Sequence, residues 1–185
     1  MVLTPSIMIP LGTKAPSFTL PDTVSGKKMS LNELKSDKAT VIMFICNHCP
    51  FVKHIQHGLV EIADDYQPKG IKFIAISAND VANYPEDSPA KMKQEAQTAG
   101  YTFPYLYDET QTVAKAYDAA CTPDFFIFDH NLSLVYRGRF DDATPGRNVP
   151  VTGKDMRAAL DNILASAPVD PNQIPSQGCN IKWKE

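Results

Sequence analysis

Apolar residues follow two alternating rhythms along this chain. Residues 40–45 form a continuous apolar run between polar neighbours, the pattern of a central strand buried on both faces. Directly after it, Val52, Ile55, Leu59, Ile62 and Tyr66 recur at three- and four-residue intervals. That spacing predicts one face of a helix of about four turns. Pro50 falls in its first turn, where a missing N–H costs little, and Pro68 and Gly70 end it.

The alternation continues. Residues 71–77 predict a second strand and 79–87 a loop. Ser88-Pro89 reads as an N-cap and a first-turn proline opening a helix to Ala99. A short strand is expected at 103–107, and Asp108-Glu109-Thr110-Gln111 as a capping box before a short helix ending near Tyr117. Residues 124–128 and 132–139, joined at Asp129-His130-Asn131, predict an antiparallel hairpin, with Arg137 and Arg139 facing water. Asp141-Asp142 reads as a solvated turn. Thr152-Gly153-Lys154-Asp155 reads as a second capping box, opening a helix in which Met156, Leu160, Ile163 and Leu164 share a face.

Upstream, 11–22 reads as an extended segment, Ser25-Gly26-Lys27-Lys28 as a hairpin turn, and Ser30 with Glu33 as the capping box of a short helix over 31–34. The order of elements argues an α/β fold, a mixed sheet with helices on both faces. One domain is expected over 1–168, with an irregular tail, 169–185, packed on it.

Charge removes some functions. Against 21 acidic residues the chain has 18 basic ones, a net charge of −3, and no basic block, so no electrostatic case for nucleic acid arises. No apolar run is long enough to span a membrane, and residues 1–10 lack a basic n-region and are interrupted by Pro5 and Pro10. The expected compartment is therefore the cytoplasm. Thiols are held reduced there, so a paired cysteine motif is catalytic or metal-binding rather than a staple.

Such a motif, Cys46-Asn47-His48-Cys49, sits at the predicted strand-to-helix junction. Two thiols at this spacing can close a small disulfide and reopen it. Cys46 is expected at the helix N-terminus, its thiolate stabilised by free amides and the dipole. Cys49, further into the helix and less exposed, suits a resolving role. A protonated His48 favours thiolate over disulfide and pushes the couple toward the oxidising end. The dithiol itself carries two electrons, so no dissociable cofactor is required. The opposing reading is half a metal site, in which Cys46, Cys49 and a histidine hold zinc or Cu(I). His54 and His57 are read as solvent-facing, and Cys121 and Cys179 stand alone in the sequence.

A second feature is Cys121-Thr122-Pro123 just before the 124–128 strand. Taken with the Cys-x-x-Cys, it resembles the thioredoxin-like superfamily, in its redoxin (AhpC/TSA) branch. More narrowly, the chain is similar to peroxiredoxin-like proteins that carry a Cys-x-x-Cys. Ala15-Pro16-Ser17-Phe18, Phe44-Ile45-Cys46-Asn47-His48-Cys49-Pro50, Thr122-Pro123-Asp124-Phe125-Phe126-Ile127-Phe128-Asp129, Val151-Thr152-Gly153 and Gly178-Cys179-Asn180-Ile181-Lys182-Trp183-Lys184 carry the likeness over nearly the whole chain.

The resemblance implies a thiol–disulfide oxidoreductase acting on a protein or small-molecule disulfide, coupled to an external thiol reductant or oxidant. Cys46 would attack, Cys49 resolve and His48 tune the pair, as in the Cys-x-His-Cys of protein disulfide isomerases. Pro123 would be cis, and the Thr122-Pro123 backbone would hold the substrate in extended pairing. Cys121 and Cys179 become candidate auxiliary thiols, paired with each other or, for Cys179, relaying electrons to the Cys46–Cys49 disulfide. Three departures stand out. Thr40 replaces the buried acid of thioredoxins, and Ile45 replaces their tryptophan. Ile42, Cys46 and Pro123 stand where peroxiredoxins place the proline, Thr/Ser and arginine that polarise a peroxide. A thiol peroxidase using Cys49 and a non-catalytic redox-sensing or metal-binding protein are the alternatives.

Overall fold

A computed structural model describes residues 3–185; Met1 and Val2, which open the stretch read as a poor signal peptide, lie outside the described residues. The strands are β1 (Leu3–Pro5), β2 (Thr19–Pro21), β3 (Lys28–Ser30), β4 (Ala39–Phe44), β5 (Ile71–Ser77), β6 (Tyr105–Tyr107), β7 (Cys121–Thr122), β8 (Asp124–Asp129), β9 (Leu134–Arg137) and β10 (Gln177–Asn180). The helices are α1 (Leu31–Leu34), α2 (Pro50–Tyr66), α3 (Pro89–Ala99), α4 (Thr112–Ala116) and α5 (Lys154–Leu164).

The central sheet has the order β6-β5-β4-β8-β9. β4, β5 and β6 run parallel, as strands joined through helices do, while β8 and β9 return as an antiparallel hairpin. Every residue of β4 is buried, because both faces of the sheet are covered. The pleat sends Val41 and Met43 to one core, against Val52, Ile55 and Leu59 of α2, Met92 of α3 and Leu160 of α5. It sends Ile42 and Phe44 to the other, against Leu31 of α1 and Val113 and Tyr117 of α4. The fold is thus the mixed sheet flanked on both faces that the periodicity predicts.

Ser30 and Glu33 form the expected reciprocal capping box. The other two boxes do not form. α4 starts at Thr112, so its N-cap is Gln111, in a left-handed conformation with φ 63°. The Asp108 carboxylate instead accepts from the Ala114 N–H at 2.8 Å. α5 starts after Gly153, at φ 67°. The Thr152 and Gly153 amides both donate, at 2.7 Å, to Asp141, which is buried rather than a solvated turn. Arg137 also departs from expectation. Its side chain is wholly buried, forking onto the equally buried Asp124 with Nη2 to Oδ2 at 3.0 Å and Nη1 on Oδ1. On the hairpin face that alternation assigned to water, the Arg137 side chain meets residues 6–7, donating to the Ile7 carbonyl and to Ser6 Oγ, and Arg139 is half-buried against Asp155.

The tail is not wholly irregular. β10 lies between β1 and β7 in a small antiparallel sheet, with Leu3 opposite Cys179 and Cys179 opposite Thr122. Ile181, just beyond it, is buried in the second core. Asn79 Oδ1 accepts from the Lys182 amide at 2.9 Å, fastening the strand's far end to the loop after β5.

Candidate active site

The Cys-x-x-Cys crosses from the end of β4 to the start of α2. Pro50 fixes the first helical position, so the N-cap is Cys49, not Cys46. Both thiols are buried, Cys46 at 2% exposure and Cys49 at 0%. The Thr122–Pro123 peptide is cis and faces them. Cys46 Sγ lies 3.4 Å from Thr122 Oγ1, and Cys49 Sγ lies 3.1 Å from the Thr122 carbonyl oxygen. Cys49 Sγ is also 2.8 Å from Cys179 Sγ, which β10 brings in from the tail.

This placement reverses the expected ionisation. A hydrogen bond from Cys46 is the main influence pulling Cys49 down, to about 5, against the opposing effect of burial; Cys179 and the Val52 amide at the open end of α2 add to it. Cys46 keeps the shared proton and is pushed well above the ordinary thiol value, first by its bond to Cys49, then by burial and by the charge of Asp87. The thiol held lower is therefore Cys49, the N-cap of a helix that begins at Pro50, chiefly through its neighbour Cys46. Burial, with the hydrogen bond to Cys49, pushes Cys179 up to about 12.

His48 Nδ1 bonds Asp87 Oδ2 at 2.6 Å, and its ring stacks on Tyr84 with centroids 5.3 Å apart. Asp87 is wholly enclosed and also accepts from the Asn47 amide and Asn79 Nδ2, each at 2.8 Å. Burial opposes ionisation of Asp87, but the bonds from His48 and Asn79 outweigh it and hold the carboxyl below its ordinary value. His48 is correspondingly raised by its bond to Asp87. Thr40, at the position of the missing acid, is buried and accepts from the Ser36 amide. The carboxylate beside the pair comes instead from the loop after β5. Asp87 was not visible as a site residue in the sequence, since its place before Ser88-Pro89 reads only as the approach to a helix.

The His48–Asp87 pair has a defined pH window. His48 is raised, so its contribution to stability is complete below about 6.5 and lost as pH climbs through the raised value. Asp87 is depressed, so its contribution is in place above 3.8 and lost as pH falls through the depressed value. An NMR titration of His48 should give a midpoint above 6.5 that falls in Asp87→Asn. Unchanged midpoints in that variant would remove Asp87 as the cause.

Cys121 is placed differently. Its sulfur has Ser6 Oγ at 3.9 Å and Pro123 O at 3.5 Å, and burial raises its pKa. His57 is exposed, as expected, and pairs with Glu61, but His54 is half-buried, with a ring nitrogen enclosed and unpartnered. For a metal, Cys46 Sγ, His48 Nδ1 and an Asp87 oxygen lie within 4.8 Å of one another. The expected docking edge is also changed. β7, where the resemblance placed a substrate strand, is paired with the chain's own β10. No helix among the described residues is long and apolar enough to cross a membrane.

A mixed sheet with a Cys-x-x-Cys at the start of its first long helix, opposite a cis-proline, defines the class: this is a thioredoxin-like protein. The thioredoxin domain of a thiol-disulfide oxidoreductase from Bacteroides vulgatus shares the fold, with a TM-score of 0.59 at 20% identity over 71% of this chain and 91% of that one. Residues 11–137 match the AhpC/TSA family, and the chain belongs to it. Thiol-disulfide oxidoreductase ResA from Bacillus thuringiensis (strain Al Hakam) is 27% identical over 125 residues, 68% of this chain and 67% of that protein. An uncharacterized conserved protein from Geobacillus kaustophilus, known as a crystal structure, is 60% identical over 100% of this chain and 97% of its own, with a TM-score of 0.98.

Proposed function

We propose that this protein is a thiol–disulfide oxidoreductase whose working couple is Cys46 and Cys49. The observation that carries the reading is the placement of both thiols against the cis Thr122–Pro123 peptide at the N-terminus of α2, Cys46 Sγ 3.4 Å from Thr122 Oγ1 and Cys49 Sγ 3.1 Å from the Thr122 carbonyl oxygen. The likeness to ResA supports it.

The geometry suits a division of labour. Cys49 is fully enclosed, with Thr122 and Cys179 against its sulfur, while Cys46 keeps 2% exposure, so Cys46 is the thiol assigned to meet an external disulfide. As Cys46 attacks, its proton passes to the Cys49 thiolate. One sulfur–sulfur bond forms, the substrate's breaks, and the first leaving thiolate takes up a proton. Cys49, an acidic thiol, ionises again at neutral pH and attacks the Cys46 sulfur. The second thiolate departs and the Cys46–Cys49 disulfide remains, to be reduced by an external thiol. In a reducing compartment such as the cytoplasm the resting form is the dithiol. Beside Pro123, a cleft of about 260 Å³ lined by Phe51, Phe125 and Phe140 together with Arg147, Asp141 and Asp142 offers a seat of mixed polarity for the substrate.

Equilibration in defined glutathione buffers, followed by mass, tests the couple. A reversible two-electron transition that links the Cys46 and Cys49 sulfurs is expected in wild type, and that linkage is absent in Cys46→Ser and Cys49→Ser. A wild type that never closes the Cys46–Cys49 disulfide overturns the reading.

The Cys46, His48 and Asp87 donor set favours a second reading, a metal-binding protein. An ion there would have to replace the His48–Asp87 bond. Turnover undiminished by chelators, in protein free of bound metal, rejects it. Peroxide reduction at Cys49 is the less favoured alternative, since the sulfur is fully enclosed and Cys46 stands where a peroxide-polarising hydroxyl would be.

A further inference from the structure

Of the two buried thiols that the two-cysteine scheme leaves unused, Cys121 and Cys179, it is Cys179 that is held against the reacting sulfur. Its register opposite Thr122 places both side chains on one face of the small sheet. Cys121, opposite Asn180, points to the other face. The pleat therefore separates Cys121 from Cys179 and delivers Cys179 to Cys49, 2.8 Å away. The approach depends on its neighbour. A Cβ on Gly178 would lie 2.0 Å from the Thr122 carbonyl oxygen, so only glycine lets the strand come this close. The Lys182 amide bond to Asn79 and the burial of Ile181 hold the strand from beyond.

We propose that Cys179 is a second disulfide partner of Cys49, so that Cys49 is a pivot between two alternative disulfides. The step is an internal exchange. Cys179, giving up its proton, attacks the Cys49 sulfur of the Cys46–Cys49 disulfide. The Cys49–Cys179 bond forms, the Cys46–Cys49 bond breaks, and Cys46 leaves as the thiolate that takes the proton. Nothing is oxidised or reduced overall; the first disulfide comes from the external disulfide of the proposed function, on which this route rests. The product fastens β10 over the site and frees the Cys46 thiol. Attack by Cys46 on Cys49 reverses it.

Wild type, Cys46→Ser, Cys179→Ser and Gly178→Val are equilibrated across a series of reduced and oxidised glutathione ratios. They are then acid-quenched, alkylated, digested and mapped by mass. Cys46→Ser should still lose two hydrogens, with the Cys49 peptide joined to the Cys179 peptide and Cys121 alkylated. Wild type should show both linkages, and Cys179→Ser only Cys46–Cys49. Gly178→Val, which drives a side chain into the Thr122 carbonyl, should lose most of the Cys49–Cys179 product while keeping Cys46–Cys49. Absence of a Cys49–Cys179 link in both wild type and Cys46→Ser overturns the proposal, as does a link from Cys179 to Cys121. A Cys46–Cys49 disulfide without the second link would sink the pivot and leave the oxidoreductase standing. The second link without the first would overturn both, leaving a Cys49–Cys179 couple in place of the Cys46–Cys49 one.

Discussion

Serine in place of Cys46 is expected to lower kcat/KM for disulfide reduction by about 10³-fold or more, because a hydroxyl cannot form the mixed disulfide on which the cycle depends. The same change in Cys49 should fail differently. Cys46→Ser should form no mixed disulfide at position 46 and react only slowly, whereas Cys49→Ser should let Cys46 form a mixed disulfide and then stall. Mass spectrometry of each variant after exposure to a disulfide substrate separates the two. A Cys46→Ser enzyme within tenfold of wild type would show that the external thiol is another, with Cys49 first in line. The low ionisation of Cys49 does not conflict with this order. It prepares Cys49 both to receive the proton from Cys46 and to return as the resolving thiolate.

Alanine in place of Asp124 is expected to cost about 3–5 kcal/mol of stability, the usual consequence of leaving one member of a buried ion pair without its partner. Arg137 would be stranded with no exposure to water. Asp124 also accepts from the Ala120 amide at 3.0 Å and from Ser6, so it pins the segment that carries Thr122 and Pro123. Urea unfolding measures the loss. A change below about 1 kcal/mol would mean that the guanidinium finds water or another acceptor. Replacing both partners, as in Asp124→Leu with Arg137→Met, should recover much of the deficit, since apolar residues of similar volume often match a buried pair.

The periodic elements were legible because each is set by its own residues. The run over 40–45, the spacing from Val52 to Tyr66 and the Ser30–Glu33 box need no distant partner, and β4, α2 and α1 appear where they were read. The unformed boxes show the limit. Asp108 and Thr152 have suitable neighbours in sequence, but Ala114 and Asp141 provide the bonds that form instead. Arg137 was misread for the same reason: alternation shows which residues share a strand face, not what distant chain covers it. At the site, the motif gave Cys46, His48 and Cys49 together with Thr122 and Pro123. It could not give Asp87, which arrives from the far end of a loop, nor the order of acidity, which turns on how the buried sulfurs meet one another. Cys179 was visible as a thiol, but only the register of β10 shows which sulfur it meets.

The pairing of β7 with β10 has a kinetic consequence. A strand whose amides and carbonyls already serve a neighbour has none left on that side to grip an extended peptide. Recognition then falls to side chains around the cleft, and the length of chain on either side of a substrate disulfide adds little. Across a series of substrates, rates should be ordered by the acidity of the departing thiol, the intrinsic measure of how readily a disulfide yields.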